Sequence, residues 1–417
     1  MTRTKKNKPG RKQREAKEAL QQQKAKSTGK QQKMETPEQL YASAIALVEQ
    51  SQPDEAISQA HKLWQQVSNG SVTEKLPALN LLGEISVELG DIDGAKQYFE
   101  QAVLLDPEGK VPEALGGGAE KFLWLAQLCE EGGKASVEWF ERGAKALHAE
   151  IEVLEAGKMP PMDEESSLVL RVEKKRKLAN AICGIVEVYM TDLSWEEDAE
   201  TRCETLIMQA MTVEDETSPE VLQTLASVRL SQERKEDAQA ALTRSLATWR
   251  HLDPEDPAVP DFPTRISLSR LLMEAEMERE AMFVLQRLVT DDDQSVEAWY
   301  LGGWCQNLIV EKLKEADQNG DTSANGTGAT ETESELMTAM KGSRNWLKMA
   351  LKLYKQLDYE DVRLHEHAQE LVTALNAVLG PEEKEAEGGD EDAWEEWEGL
   401  DEGEEDEDDE DEEMKDS

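Results

Sequence analysis

The segment Leu79–Pro107, LNLLGEISVELGDIDGAKQYFEQAVLLDP, keeps apolar residues at helical spacing, breaks at Gly90-Asp91 and resumes the same spacing up to Asp106-Pro107. Its small residues fall at fixed places: Gly83 follows Leu82 in the first half, and Ala95 and Ala102 flank Phe99 in the second. That pattern predicts two antiparallel helices so close that only small side chains fit at the contact, with Phe99 filling the gap and Pro107 ending the second helix. A pair of this kind cannot cover its own apolar surface. The feature therefore requires the rest of the chain to supply copies that stack on it.

Copies are present. Leu222, Leu225, Ala226, Ala238, Leu242 and Ser245 fit the register without gaps, and Arg265–Asp293 repeats it through Leu268, Ser269, Leu272, Ala281, Leu285 and Leu288. The next copy begins 34 residues after Arg265, at Trp299 and Gly303. Weaker copies run through Leu40, Leu47, Ala56, Ala60 and Leu63, and through Phe122, Leu125, Ala126, Cys129, Phe140 and Gly143, where the turn at Glu130–Lys134 is short. Ala181–Ala210 fits poorly, because Gly184 and Ala199 stand too far apart. The spacing resembles the tetratricopeptide repeat, and strand signals are nearly absent. The expectation is an all-α tetratricopeptide-repeat superhelical solenoid of about six to seven helix pairs over residues 34–380. Within it, ADQNGDTSANGTGATETESE, residues 316–335, reads as a flexible insertion, after which Ser343, Leu347 and Ala350 resume second-helix spacing. A helix from Glu360 to Leu379 caps the stack before Gly380-Pro381.

Charge is uneven along the chain. The net charge of −43 divides into +10 on residues 1–33, −21 on residues 381–417 and −32 on the body between them. A body this acidic repels phosphate backbones, so a basic partner is expected and direct nucleic-acid binding is not. Cys129, Cys183, Cys203 and Cys305 lie far apart without a C-x-x-C, and so read as reduced core residues rather than disulfides or zinc ligands. No signal-peptide core opens the chain and no run of about eighteen apolar residues occurs, so the expected location is cytoplasm and nucleus, without a membrane. A P-loop, G-x-S-x-G, H-E-x-x-H and a G-x-G-x-x-G after a strand are all missing. The expectation is a monomeric non-enzyme with no metal and no cofactor.

Several short motifs carry competing readings. His365 and His367, two apart on a helix, point to different faces and suit solvated surface better than a metal site. Gly116-Gly117-Gly118 reads as a loop before the Phe122 helix. KKRK, Lys174–Lys177, is either a nuclear-import signal or a solvated helical face, its place inside an amphipathic helix favouring the second. KKNKPGRKQR, Lys5–Arg14, has three open readings: an import signal, which would add an import receptor as a partner, a nucleic-acid contact, or a segment folded back on the acidic body or tail.

Stacked helix pairs of this type bind extended peptides along the inner faces of their first helices. Projecting the repeat places Asn80, Glu84, Glu88, Gln127, Glu130, Glu131, Ile185, Glu187, Gln223, Glu274, Tyr300 and Trp304 at or near that face, with Arg270 the main basic exception. Carboxylates there select Lys/Arg-rich peptides and disfavour the C-terminal carboxylates that basic grooves clamp. Tyr300 and Trp304 are the candidate apolar anchors. In the tail, residues 381–417, Trp394 and Trp397 fall three apart among carboxylates and would share one side of a short helix. Docking on a basic client, docking on the protein's own last helix and no defined role all stay open for them.

Three stretches narrow the reading: FLWLAQLCEEGG at Phe122–Gly133, EWFERG at Glu138–Gly143 and EDAWEEWEGL at Glu391–Leu400. With a basic N-terminus, an acidic repeat body and a Trp-containing acidic tail in that order, the chain resembles the fungal family of dedicated assembly chaperones of the large-ribosomal-subunit protein uL4. The resemblance implies a non-enzymatic chaperone that captures newly made uL4 by its long basic internal loop, keeps it soluble and delivers it for subunit assembly in the nucleus. A scaffold or adaptor of a multi-protein complex, and a histone chaperone, are the alternative readings.

Overall fold

The computed structural model describes residues 35–157, 163–214, 218–318 and 328–380. The basic segment 1–33 and the tail with Trp394 and Trp397 lie outside them. The described residues form α-helices, with one short 3-10 turn at Glu113–Leu115 and no strand. The chain divides into two compact units, Met1–Pro260 and Asp261–Ser417.

The first unit holds five helix pairs: α1 (Pro37–Glu49) with α2 (Pro53–Val67), α3 (Val72–Glu88) with α4 (Ile92–Leu105), α5 (Glu120–Gln127) with α6 (Gly133–Glu155), α7 (Glu164–Met190) with α8 (Ala199–Val213), and α9 (Pro219–Ser231) with α10 (Lys235–Trp249). The second holds α11 (Phe262–Glu274) with α12 (Glu278–Asp291), α13 (Val296–Gln318) with α14 (Gly328–Gln356), and a last helix, α15 (Val362–Leu379). The ends of the repeat body follow from local chemistry. Thr36 caps α1: its hydroxyl accepts the Gln39 N–H at 3.3 Å while the Gln39 side chain accepts the Thr36 N–H at 3.1 Å. Gly380, at φ 73°, stops α15.

The pair α3–α4 shows why the opening pattern has its spacing. Gly90, at φ 72°, turns the chain, and Ala95, Phe99 and Ala102 are fully buried. A Cβ at Gly83 would stand 2.6 Å from the Phe99 ring, so the helices meet at a distance only glycine allows. Gly83→Val is therefore expected to cost the first unit about 1–3 kcal/mol through overpacking. The measurement is a lowered urea midpoint with helical circular dichroism retained.

The two poorly fitting copies have physical explanations. Helix α5 is only eight residues long and α6 is twenty-three. The short turn between them is closed from outside, since Asp192, beyond α7, accepts the Gly133 N–H at 2.8 Å. Gly184 did not match Ala199 because its close contact is with the preceding pair: a Cβ there would lie 2.7 Å from the Phe140 ring of α6.

In the second unit Gly303 lets α13 and α14 touch. A Cβ on it would stand 2.5 Å from Leu347, and the Ser343 hydroxyl donates to the Gly303 carbonyl at 2.7 Å. Helix α15 buries Ala368 and Leu375 in one apolar cluster with Val310, Met340 and Leu347, as a capping helix should. Part of the range 316–335 expected as a flexible insertion is helical. Helix α13 runs to Gln318 and α14 begins at Gly328, leaving residues 319–327 outside the described residues. Cys183, Cys203 and Cys305 are buried free thiols and Cys129 is half-buried and free, as expected.

A candidate peptide-binding face on the first helices

In the first unit, α1, α3, α5, α7 and α9 are the first helices of their pairs, and their outward side chains converge. Tyr41 of α1 lies in the field of Glu84 of α3, which in turn feels Glu88, Glu120 of α5 and Lys177 of α7. Asn80 donates its side-chain amide to the Gly116 carbonyl at 2.9 Å, fastening the loop before α5 to the same face. Arg176 of α7 pairs with Glu220 of α9.

Glu84 defines the character of this surface. Its side chain is exposed to solvent, yet enclosure by surrounding protein, reinforced by Glu120 and Glu88 and opposed by Lys177, pushes its carboxyl up to about 7. Water reaches this carboxyl although neighbouring side chains of the first helices crowd it. Glu187 of α7 is likewise exposed and raised by enclosure. The ion pairs around this face use Glu113, Glu120, Glu173 and Glu220, not Glu84, Glu88 or Glu187. Among the described residues, Glu84, Glu88 and Glu187 form no ion pair.

Gln127 ends α5, and Glu130 and Glu131 occupy the α5–α6 turn, all exposed. Glu130 is at the turn edge and already pairs with Lys96 at 2.6 Å, so its charge is matched. Ile185 is not on the surface: it is core, packed with Phe140 and Tyr189. Gln223 is also buried. Glu274 is exposed at the end of α11 in the second unit, where Arg270 pairs with Glu297.

Tyr300 and Trp304 do come together, but as partners of α15 rather than as open anchors. The Tyr300 hydroxyl lies 2.7 Å from His367 Nδ1, and the Trp304 and His367 rings are 5.5 Å apart. His367 is therefore not solvated surface. His365, on a different face as expected, stacks on Tyr354 with ring centroids 4.4 Å apart.

The KKRK motif is only partly a solvated face: Arg176 is exposed, Lys175 and Lys177 are half-buried and Lys174 is buried. Lys174 is buried and pairs with Glu113 and, at 2.7 Å, with Glu150. Lys175 pairs with Glu155 at 3.3 Å, and Lys177 with Glu113 at 3.1 Å and Glu120 at 2.7 Å. The carboxylates come from the 3-10 turn, α5 and α6, contacts that no local spacing reveals. Sequence reasoning also missed Asp106 and Lys121, an ion pair at 2.9 Å with both side chains buried. Asp106 Oδ1 accepts the Lys110 and Val111 N–H groups and so folds the loop carrying Gly116. The Asp-Pro that marks the helix end was the only visible signal.

Among the described residues no His, Cys, Asp and Glu group could hold a metal, and no helix is long and apolar enough to cross a membrane.

Stacked antiparallel helix pairs of this spacing define a tetratricopeptide-repeat protein, and the tetratricopeptide-repeat family model matches residues 76–108. The chain is 48% identical over 376 residues to an Emericella nidulans protein named "Probable assembly chaperone of rpl4", covering 88% of this chain and 90% of that one. A Schizosaccharomyces pombe protein of the same name is 34% identical over 335 residues, 79% of this chain and 90% of that one. The chain belongs to this family of rpl4 assembly chaperones. A solved structure of an assembly chaperone of RpL4, residues 1–338, aligns with a TM-score of 0.60 at 49% identity, over 68% of this chain and 99% of that one.

Proposed function

We propose that this chain is the dedicated chaperone of uL4, the rpl4 of its relatives' names, and that it holds the basic internal loop of newly made uL4 against the face bearing Glu84, Glu88 and Glu187. The observation that carries the reading is Glu84, an exposed carboxyl crowded by the neighbouring first helices that forms no ion pair among the described residues. Carboxylates placed there stand in for the RNA phosphates that later receive the loop, so the client is screened until it is handed on. Binding and release complete the cycle without a chemical step, which makes the chain a non-enzyme. Single exposed ion pairs contribute about 0–1 kcal/mol and are screened over about 8 Å at physiological salt, so affinity rests on several pairs plus apolar contact. Tyr41, exposed beside Glu84, supplies that contact. The chain works as a monomer, in cytoplasm and nucleus, with its basic N-terminus as the import signal.

The test is capture of uL4 by the full chain as salt and pH vary. Binding is expected to weaken steeply with salt. It is also expected to weaken as pH falls through 7, because a client cation favours the ionised form of Glu84 and protonation removes that attraction. A flat response to salt would favour the scaffold reading, and displacement of uL4 by histones at equal affinity would favour the histone chaperone.

A further inference from the structure

Helix α14 departs from the charge of the rest of the molecule. From Leu336 to Gln356 it carries Lys341, Arg344, Lys348, Lys352 and Lys355 and no carboxylate, in a chain with 89 acidic and 46 basic residues. Lys348 and Lys355 follow Lys341 by one and two heptads and Lys352 follows by three turns, so the four lysines form a single stripe. Lys341, Lys348 and Lys355 are exposed and Lys352 is half-buried, while Met340, Leu347, Ala350 and Leu353 turn to the core.

The N-terminal end of this stripe lies where the C-terminal segment leaves the fold. Leu379 packs in the same cluster as Leu336 and Met340, and Arg344 donates to the Gly380 carbonyl at 3.3 Å. Two exposed apolar side chains mark that end, Met337 on α14 and Val378 on the last turn of α15.

We propose that the acidic C-terminal segment, residues 381–417, lies along the lysine stripe of α14, with Trp394 and Trp397 at the Met337 and Val378 end. The order of chemistry along the segment matches the order along the helix. After Gly380 the segment passes seven carboxylates before Trp394 and Trp397, and the tryptophans in turn precede the dense carboxylate run Asp401–Glu413, just as the apolar end of the stripe precedes its lysines. Length permits it: thirty-seven residues reach on the order of 120 Å when extended, whereas Lys341 to Lys355 spans about 21 Å. Tethering supplies an effective concentration in the millimolar range, so several weak pairs suffice to hold the segment. This contact is independent of where uL4 binds.

Carbodiimide cross-linking of the monomeric full chain without client, followed by mass spectrometry, tests the placement. Cross-links are expected from Lys341, Lys348 and Lys355 to carboxylates of residues 401–413, and they should disappear at high salt. A Glu-specific protease supplies the second readout, because a docked segment is cut slowly. K341E/K348E/K355E is expected to be cut about tenfold faster within 401–413, and K341Q/K348Q/K355Q, which keeps the helix free of new charge repulsion, several-fold faster. Cross-links that concentrate on the lysines of residues 1–33, or equal cleavage of wild type and both variants, would overturn the proposal. So would a short RNA that binds wild type and not the variants while cleavage stays unchanged, since the stripe would then serve a phosphate partner.

Discussion

Lys121→Met is expected to destabilise the first unit by about 3–5 kcal/mol, the range for breaking one side of a buried ion pair. Lys121 is fully buried; its ammonium donates to Asp106 at 2.9 Å and to the Gly118 carbonyl at 2.7 Å. Burial pushes its pKa down and the Asp106 carboxylate holds it back. Without the ammonium, Asp106 keeps two backbone donors but is a buried charge with no counter-charge. Adding Asp106→Asn to the variant removes that charge while keeping an acceptor for the backbone, so the double variant is expected to recover much of the loss. Urea unfolding of the wild type, both single variants and the double variant measures the coupling. A loss under about 1 kcal/mol for Lys121→Met would show that the pair contributes no more than a surface bridge. The effect should reach the binding face, because the loop that Asp106 folds is the one Asn80 grips through Gly116.

The second large effect concerns capture. E84K/E88K/E187K is expected to weaken binding of the basic loop of uL4 about a hundredfold, because each reversal both removes an attraction and adds a repulsion. Fluorescence anisotropy with a labelled loop peptide measures it, and circular dichroism checks that the helices persist, as they should with exposed positions. E130K/E131K serves as the comparison. Glu130 is matched by Lys96 at the turn edge, so this pair is expected to change binding only about threefold. Equal loss in both variants would remove the face bearing Glu84 from the site.

These two predictions draw on different depths of legibility. Thr36 and Gly380 could be read as the limits of the repeat body because caps are chemistry between neighbours in sequence. Gly83 and Phe99 could be read as a contact because a helix pair repeats a fixed spacing. The same logic leads to Glu84, Glu88 and Glu187 as exposed positions on the first helices α3 and α7. It failed where the partner comes from another pair: Gly184 meets Phe140, Lys174 meets Glu113 and Glu150, and Glu130 meets Lys96. Those contacts depend on how one pair stacks on the next, which spacing within a pair does not encode. Tyr300 and Trp304 read from sequence as apolar anchors of the face, but the helix that packs against them, α15, stands outside the repeat and offers no register from which to place His367.

The four cations at Lys174–Lys177 have a consequence for traffic in the cell. Each is held by a carboxylate from another part of the first unit, and one of them is buried. A receptor that reads runs of basic residues would have to separate several ion pairs and pull a lysine out of the protein interior before it could engage them. In the folded chain the motif is thus spent largely on internal pairing, with Lys174 held inside the first unit.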